Sequence, residues 1–170
     1  INHPMLSGQG FAYPQGYPKG DTRYTTAKVI AARAYFRPAD PPSAGEETPI
    51  PGALGSGHGT HLAAIAAGNP VTAMYKGLSQ PIFGVAPRAW LMNYRIFYPT
   101  GADRPEVAYT AEILQALEDA VADGANILCL GWANATPRSP ASAPEAEALE
   151  MAIKAGCVVV AAAGNEGPGY

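Results

Sequence analysis

Charge, cysteine and long apolar runs are all scarce in this sequence. Charged residues make up 15% of its 170 positions, and 11 Lys and Arg against 14 Asp and Glu leave a formal net charge of −3. So slight an imbalance argues against nucleic acid or an anionic membrane surface as a partner. No apolar run approaches the ~20 residues of a membrane span. The first residues show neither an initiating Met nor a basic stretch followed by an apolar one, so the chain is expected to begin inside a longer or already processed protein. The two cysteines, Cys129 and Cys157, sit in apolar runs and read as small buried hydrophobes. A disulfide between them depends on a Cα separation that sequence does not give.

What is present is enough for one core of ordinary size, since 48% of residues are hydrophobic. Residues 1–55 are rich in Gly, Pro and polar side chains and hold one convincing apolar segment, Lys28 to Phe36. Pro38 to Gly57 has no period and reads as loop. From His58 onward the texture is regular. Ala89 to Phe97 reads as a strand. Thr110 to Asp123 reads as a helix with Ile113, Leu117 and Val121 on one face and Gly124 placed to end it. Asn126 to Leu130 is a short, unbroken apolar strand. Ser142 to Ala155 reads as a helix opened by a Ser142-x-x-Glu145 capping box and closed by Gly156. Cys157 to Ala163 is a second unbroken apolar strand. Strands without polar alternation are expected to be buried on both faces, and βαβαβ order implies parallel pairing through right-handed crossovers. The expected class is α/β, a doubly wound, mainly parallel sheet with helices on both faces.

Two stretches carry chemistry. In Ser56 to Gly68, SGHGTHLAAIAAG, two histidines three residues apart enter an alanine-rich segment. A helix starting at His58 sets the imidazole beside unpaired backbone N–H groups and the positive end of the helix dipole, a field that favours the neutral ring from which a general base starts. Gly57 and Gly59 leave room for a substrate to reach it. Ala63, Ala64, Ala66 and Ala67 keep the helix thin enough to lie close on a sheet. The plain alternative is a histidine that only caps a helix. Metal binding by His58 and His61 is a weaker rival, because the one other histidine is His3 and no carboxylate or cysteine lies at ligand spacing.

The second stretch is Val158 to Gly169, VVVAAAGNEGPG, a strand ending in glycine and asparagine. Loops beyond the carboxyl ends of parallel strands form the binding crevice of such sheets. The Asn165 amide is an uncharged donor that can meet a developing oxyanion without a proton-transfer equilibrium of its own. Its plain alternative is an Asn selected for a left-handed turn. A phosphate-cradling loop is a further rival, but the Lys-Ser/Thr that should follow is missing.

Together these stretches resemble the subtilisin-like serine proteases, the subtilases. His58-Gly59-Thr60-His61 is similar to the catalytic-histidine signature, and Ala162-Ala163-Gly164-Asn165-Glu166-Gly167 to the oxyanion strand end. Gly84-Val85-Ala86-Pro87-Arg88-Ala89 looks like the lead into the strand after the histidine helix. The resemblance implies that His58 is the general base and Asn165 the oxyanion donor, with no metal in catalysis, although a structural calcium is in keeping with the family. It also implies a peptide or protein substrate and a secreted or cell-surface setting. Lys28 to Phe36 is similar to the Lys-Val-Ile-Gly-Ala-Arg-Tyr-Phe segment of large members, plant and bacterial, which commonly carry a protease-associated domain between the oxyanion asparagine and the serine.

Two triad members are not found. The family's serine lies in a Gly-Thr-Ser-Met-Ala motif downstream of the asparagine, whereas Ser7, Ser43, Ser56, Ser79, Ser139 and Ser142 all precede Asn165. Ile1-Asn2-His3-Pro4 looks like the residues after the family's Asp-Thr-Gly. Asp21-Thr22 is followed by Arg23 and preceded by no apolar strand, and is rejected as the acid. Residues 1–170 are therefore expected to be part of a catalytic domain, inactive alone and prone to associate with itself or with the rest of the domain. Where the family's substrate-pairing strand ends Ser-Leu-Gly, this chain has Gly131-Trp132-Ala133, and Trp132 either walls a specificity pocket or packs under the proline-rich loop that follows. The competing class is a non-catalytic binding or structural module that kept the fold; a flavodoxin-like binding domain is more distant still.

Overall fold

The computed structural model describes residues 2–133, 143–165 and 167. They fall into two compact units, Ile1–Val107 and Ala108–Tyr170, each taken in turn. The strands are β1 (Lys19–Gly20), β2 (Val29–Ala34), β3 (Val71–Tyr75), β4 (Leu78–Ile82), β5 (Leu91–Arg95), β6 (Ile127–Leu130) and β7 (Val158–Ala161). The helices are α1 (His58–Ala67), α2 (Thr110–Ala122) and α3 (Pro144–Lys154).

In the first unit β2 lies between β1 and β5 and is parallel to both. A central strand must be apolar on both faces, and Val29, Ile30, Ala31 and Ala32 are each at most 3% exposed. The observed β5 is shorter than the Ala89–Phe97 strand expected from sequence, because only 91–95 stay in register with β2. Lys28, fully buried ahead of β2, donates from Nζ to the carbonyls of Pro87 (2.8 Å) and Ala89 (2.6 Å) and lies 4.4 Å from the centre of the Phe11 ring. Burial, with the Arg88 charge adding to it, pulls its pKa below the usual lysine value.

Residues 84–86 run along the last turns of α1. Their amides donate to the carbonyls of Gly68, Ile65 and Ala66, each at 2.9 Å. A Cβ on Gly84 would collide with backbone atoms of Gly68, Ala64 and Ala67, so only glycine permits this approach. Between α1 and that segment is an antiparallel hairpin, β3–β4, that no sequence pattern announced. Its turn, Lys76-Gly77, has φ of 49° and 78°, the positive pair that a twisted two-residue hairpin needs. A lysine there is a poor turn signal.

In the second unit α2 buries Ile113, Ala116, Leu117 and Ala120, and Gly124 takes φ of 93° just past its end. β6 and β7 pair in parallel with Leu130 opposite Ala161. Three expectations need correction here, the last of them the burial of Cys129. The N-cap of α3 is Ala143, with Pro144 in the first turn and no side-chain cap bond; Ser142 lies outside the described residues. Pro144 suits the first turn because its missing N–H would be unpaired there anyway. Glu145 instead accepts from Thr110 Oγ1 at 2.6 Å, tying α3 to α2. Nor are β6 and β7 buried on both faces: Leu128 is buried, but Ile127, Val158 and Val160 are 64%, 58% and 54% exposed. A two-stranded sheet with helices against one side leaves alternate side chains uncovered. The two cysteines are free, Cys129 exposed and Cys157 buried with its thiol directed to the Ala125 carbonyl.

Candidate functional site

His58 is the first residue of α1, with Gly57 in the N-cap position and no side-chain cap. The imidazole is exposed, and His61, also exposed, lies one turn further on. A Cβ added to Gly57 or Gly59 would meet nothing within 4 Å, so both flanks of the histidine are open. The alanines behind it have the opposite role, with Ala64 and Ala67 buried.

The loop that delivers His58 is held by a buried ion pair which sequence analysis missed. Glu46 and Arg95, 1% and 8% exposed at their side chains, meet at 2.7 Å. The Glu46 carboxylate also accepts from the amides of Gly52 (2.8 Å), Leu54 (2.8 Å) and Gly55 (3.0 Å). Arg95 spends its other donors on the carbonyls of Glu46, Thr48, Ile50 and Phe97. One step along, Glu106 accepts from Ser56 N (2.9 Å) and Ser56 Oγ (2.8 Å). The one sequence cue was an arginine inside the apolar run of β5.

Burial pushes the Glu46 carboxyl up, but the Arg95 guanidinium and three amides outweigh it and hold the pKa below the usual carboxylate value. A carboxylate with a depressed folded pKa binds its proton more readily when unfolded, so its stabilisation is full above the unfolded value of about 4.3 and is lost as pH falls through the folded one. Urea denaturation of the chain is therefore expected to show falling stability below about pH 4.3. Glu46→Gln should flatten that acid limb; an unchanged limb would assign it to other carboxylates.

Calcium requires about six to eight oxygen ligands. Three backbone carbonyls and the Glu46 carboxylate do converge, but on the Arg95 guanidinium. Among the described residues no group of three or more His, Cys, Asp or Glu is placed to hold a metal.

In the second unit Asn165 lies four residues beyond the last residue of β7, exposed, after Gly164 with φ of 91°. Gly131, Trp132 and Ala133 follow β6 directly, the first two half-buried and Ala133 exposed. Because β6 and β7 are parallel, and Ala162 N donates to Leu130 O at 3.0 Å, both segments leave from the carboxyl end of one strand pair. The fold of this unit thus brings Asn165 and 131–133 to the same sheet end. His58 belongs to the other unit. Residues 134–142, the proline-rich loop after Ala133, and Glu166 of the asparagine motif lie outside the described residues. A separate cleft of about 670 Å³ in the first unit is lined by residues including Phe11, Asn69 and Arg88, and none of the predicted site residues borders it.

No helix among the described residues is long and apolar enough to cross a membrane. Compared with known proteins, the chain is similar to three subtilisin-like proteases of Arabidopsis thaliana. It is 40% identical to SBT2.2 over 122 residues, which is 67% of this chain and 13% of the relative. The likeness to SBT2.1 is 35% over 90% of this chain and 18% of the relative, and to SBT1.4 33% over 98% and 23%. The chain therefore spans less than a quarter of each of these relatives. The model of the subtilase family matches residues 2–170, and with a histidine opening α1 and an asparagine in the segment after β7, in the order the motifs require, the chain belongs to the subtilase family.

Proposed function

We propose that residues 1–170 supply the general-base histidine, His58, and the oxyanion-hole asparagine, Asn165, of a serine endopeptidase. The two units are parts of one catalytic domain, and the aspartate and serine of the triad come from sequence outside these residues. The observation that carries this reading is the position of His58 at the head of α1, with glycines on both flanks open to solvent. That placement leaves the ring accessible to a serine hydroxyl. Transfer of the hydroxyl proton to His58 would free Oγ to attack a peptide carbonyl, the Asn165 amide would meet the oxygen that gains charge, and His58 would return the proton to the leaving amine.

Gly131 to Ala133 would border the substrate, since they leave the sheet at the same end as Asn165. Trp132 would offer its apolar face to a substrate side chain. Secretion or display at the cell surface fits this reading through the named relatives, all of them subtilisin-like proteases of a plant.

The test compares this chain with the longer protein that contains it. The longer protein should cleave members of a broad peptide library and lose that activity to a serine-directed fluorophosphonate. The 170-residue chain should cleave none, having no nucleophile for His58 to activate. A longer protein that binds peptides without cleaving them would favour the non-catalytic module instead.

A further inference from the structure

We infer that Glu46 and Glu106 are positioning residues for His58, which they hold through the backbone of the loop before it. The inference rests on the reading of His58 as the base. Three consecutive amides, those of Leu54, Gly55 and Ser56, donate to these two carboxylates at 2.8, 3.0 and 2.9 Å. Gly57 follows, and its carbonyl accepts the first bond of α1, from His61 N at 3.0 Å. Three successive amides and the carbonyl of Gly57 are thereby engaged on the way into the helix. The loop has no strand or helix of its own between β2 and α1.

Glu46 is anchored at its carboxylate, Glu106 through the backbone beside it. Glu46 is 1% exposed and fixed by Arg95 on β5. The space is tight: a Cβ on Gly52 would lie 2.5 Å from Gly45 O and 2.6 Å from Glu46 Oε1, and one on Gly55 2.9 Å from Glu46 Oε2. Glu106 adjoins the Tyr98–Val107 bridge, whose two backbone bonds are 3.1 and 3.0 Å. Tyr98 is fully buried, edge-on to Phe36, and accepts from the Arg37 amide at 2.9 Å. The end of β2, the end of β5 and the bridge thus meet in the two groups that hold residues 54–56. A histidine that reacts must be placed within a fraction of an ångström, and an exposed ring at a helix start has no packing of its own to do this.

The test uses isotope-labelled chain, unsubstituted, Glu46→Gln and Glu106→Ala, each well below its melting temperature. Expected in Glu46→Gln is faster amide exchange at Leu54 and Gly55, by about tenfold or more, and displaced ring-carbon resonances of His58. The amides of Val85 and Ala86, bonded to the far end of α1, and the ring of His61 should be unmoved. Glu106→Ala should act in the same way, centred on Ser56, and serves where Glu46→Gln does not fold. Superimposable His58 resonances, or exchange that rises evenly through β2 and α1, would overturn the inference and leave the carboxylates as general stabilisers. In the longer protein Glu46→Gln should lower kcat by about 10- to 100-fold with KM little changed. An unaltered kcat there, in an enzyme that His58→Ala inactivates, also overturns it. Should His58→Ala leave proteolysis intact, the proposed function fails on its own, because the ring resonances need no substrate.

Discussion

Replacing His58 by alanine in the longer protein should lower kcat by about 10⁴- to 10⁶-fold while KM stays within a few-fold. The reason is chemical. A serine hydroxyl is a weak nucleophile until its proton has somewhere to go, and under the present reading His58 takes it. His61 is the natural comparison, being exposed on the same helix one turn away. If any imidazole at this helix start sufficed, His61→Ala would also be costly; under the present reading it should change kcat by no more than a few-fold. The single-turnover rate with a chromogenic peptide separates chemistry from product release. His58→Ala with kcat near the unsubstituted value would reduce His58 to a residue that opens a helix.

The second large effect is expected at Asn165. Asn165→Ala should lower kcat by about 10²- to 10³-fold and raise KM far less, since the amide would bind the oxygen mainly once it has become negative. The competing explanation is that asparagine is there for the turn. Gly164 already takes the left-handed conformation at this point, with φ of 91°, so the backbone demand is met by the glycine before it. Steady-state kinetics decide between the two: an unchanged kcat in a folded Asn165→Ala enzyme would make the side chain a feature of the turn alone.

How much of this could be read from the residues depended on whether the signal was local. α2 was legible because its apolar period and the glycine after it are contained within fifteen residues, and α1 because a glycine-flanked histidine leads straight into alanines. The parallel pairing of β6 with β7 followed from two apolar strands joined by a helix. The β3–β4 hairpin was not legible, since its turn is Lys-Gly rather than Asn-Gly and its strands carry a proline and several exposed apolar side chains. The limits of β5 were set by register against β2, which no single segment contains. The capping box failed because Pro144 is itself a strong helix-start signal and moves the N-cap to Ala143.

At the candidate site the difference is sharper. His58, Asn165 and Gly131–Ala133 stand in recognisable motifs or at strand ends, so sequence could nominate them. Glu46 and Arg95 are 49 residues apart, one in a proline-rich loop and one in a strand. A glutamate among prolines reads as solvated surface until the fold shows the guanidinium beside it. Partners of this kind are long-range by nature.

The Arg95 cage has a consequence for how this loop responds to its surroundings. Order that depends on a dissociable ligand follows mass action, so it rises and falls with the ligand's activity in the medium. The cation that gathers the carbonyls of Glu46, Thr48 and Ile50 is tethered to β5 by the chain itself. Its effective concentration is set by covalent connection and does not dilute. The cation that shapes segment 46–55 is thus carried by the chain itself and arrives with β5.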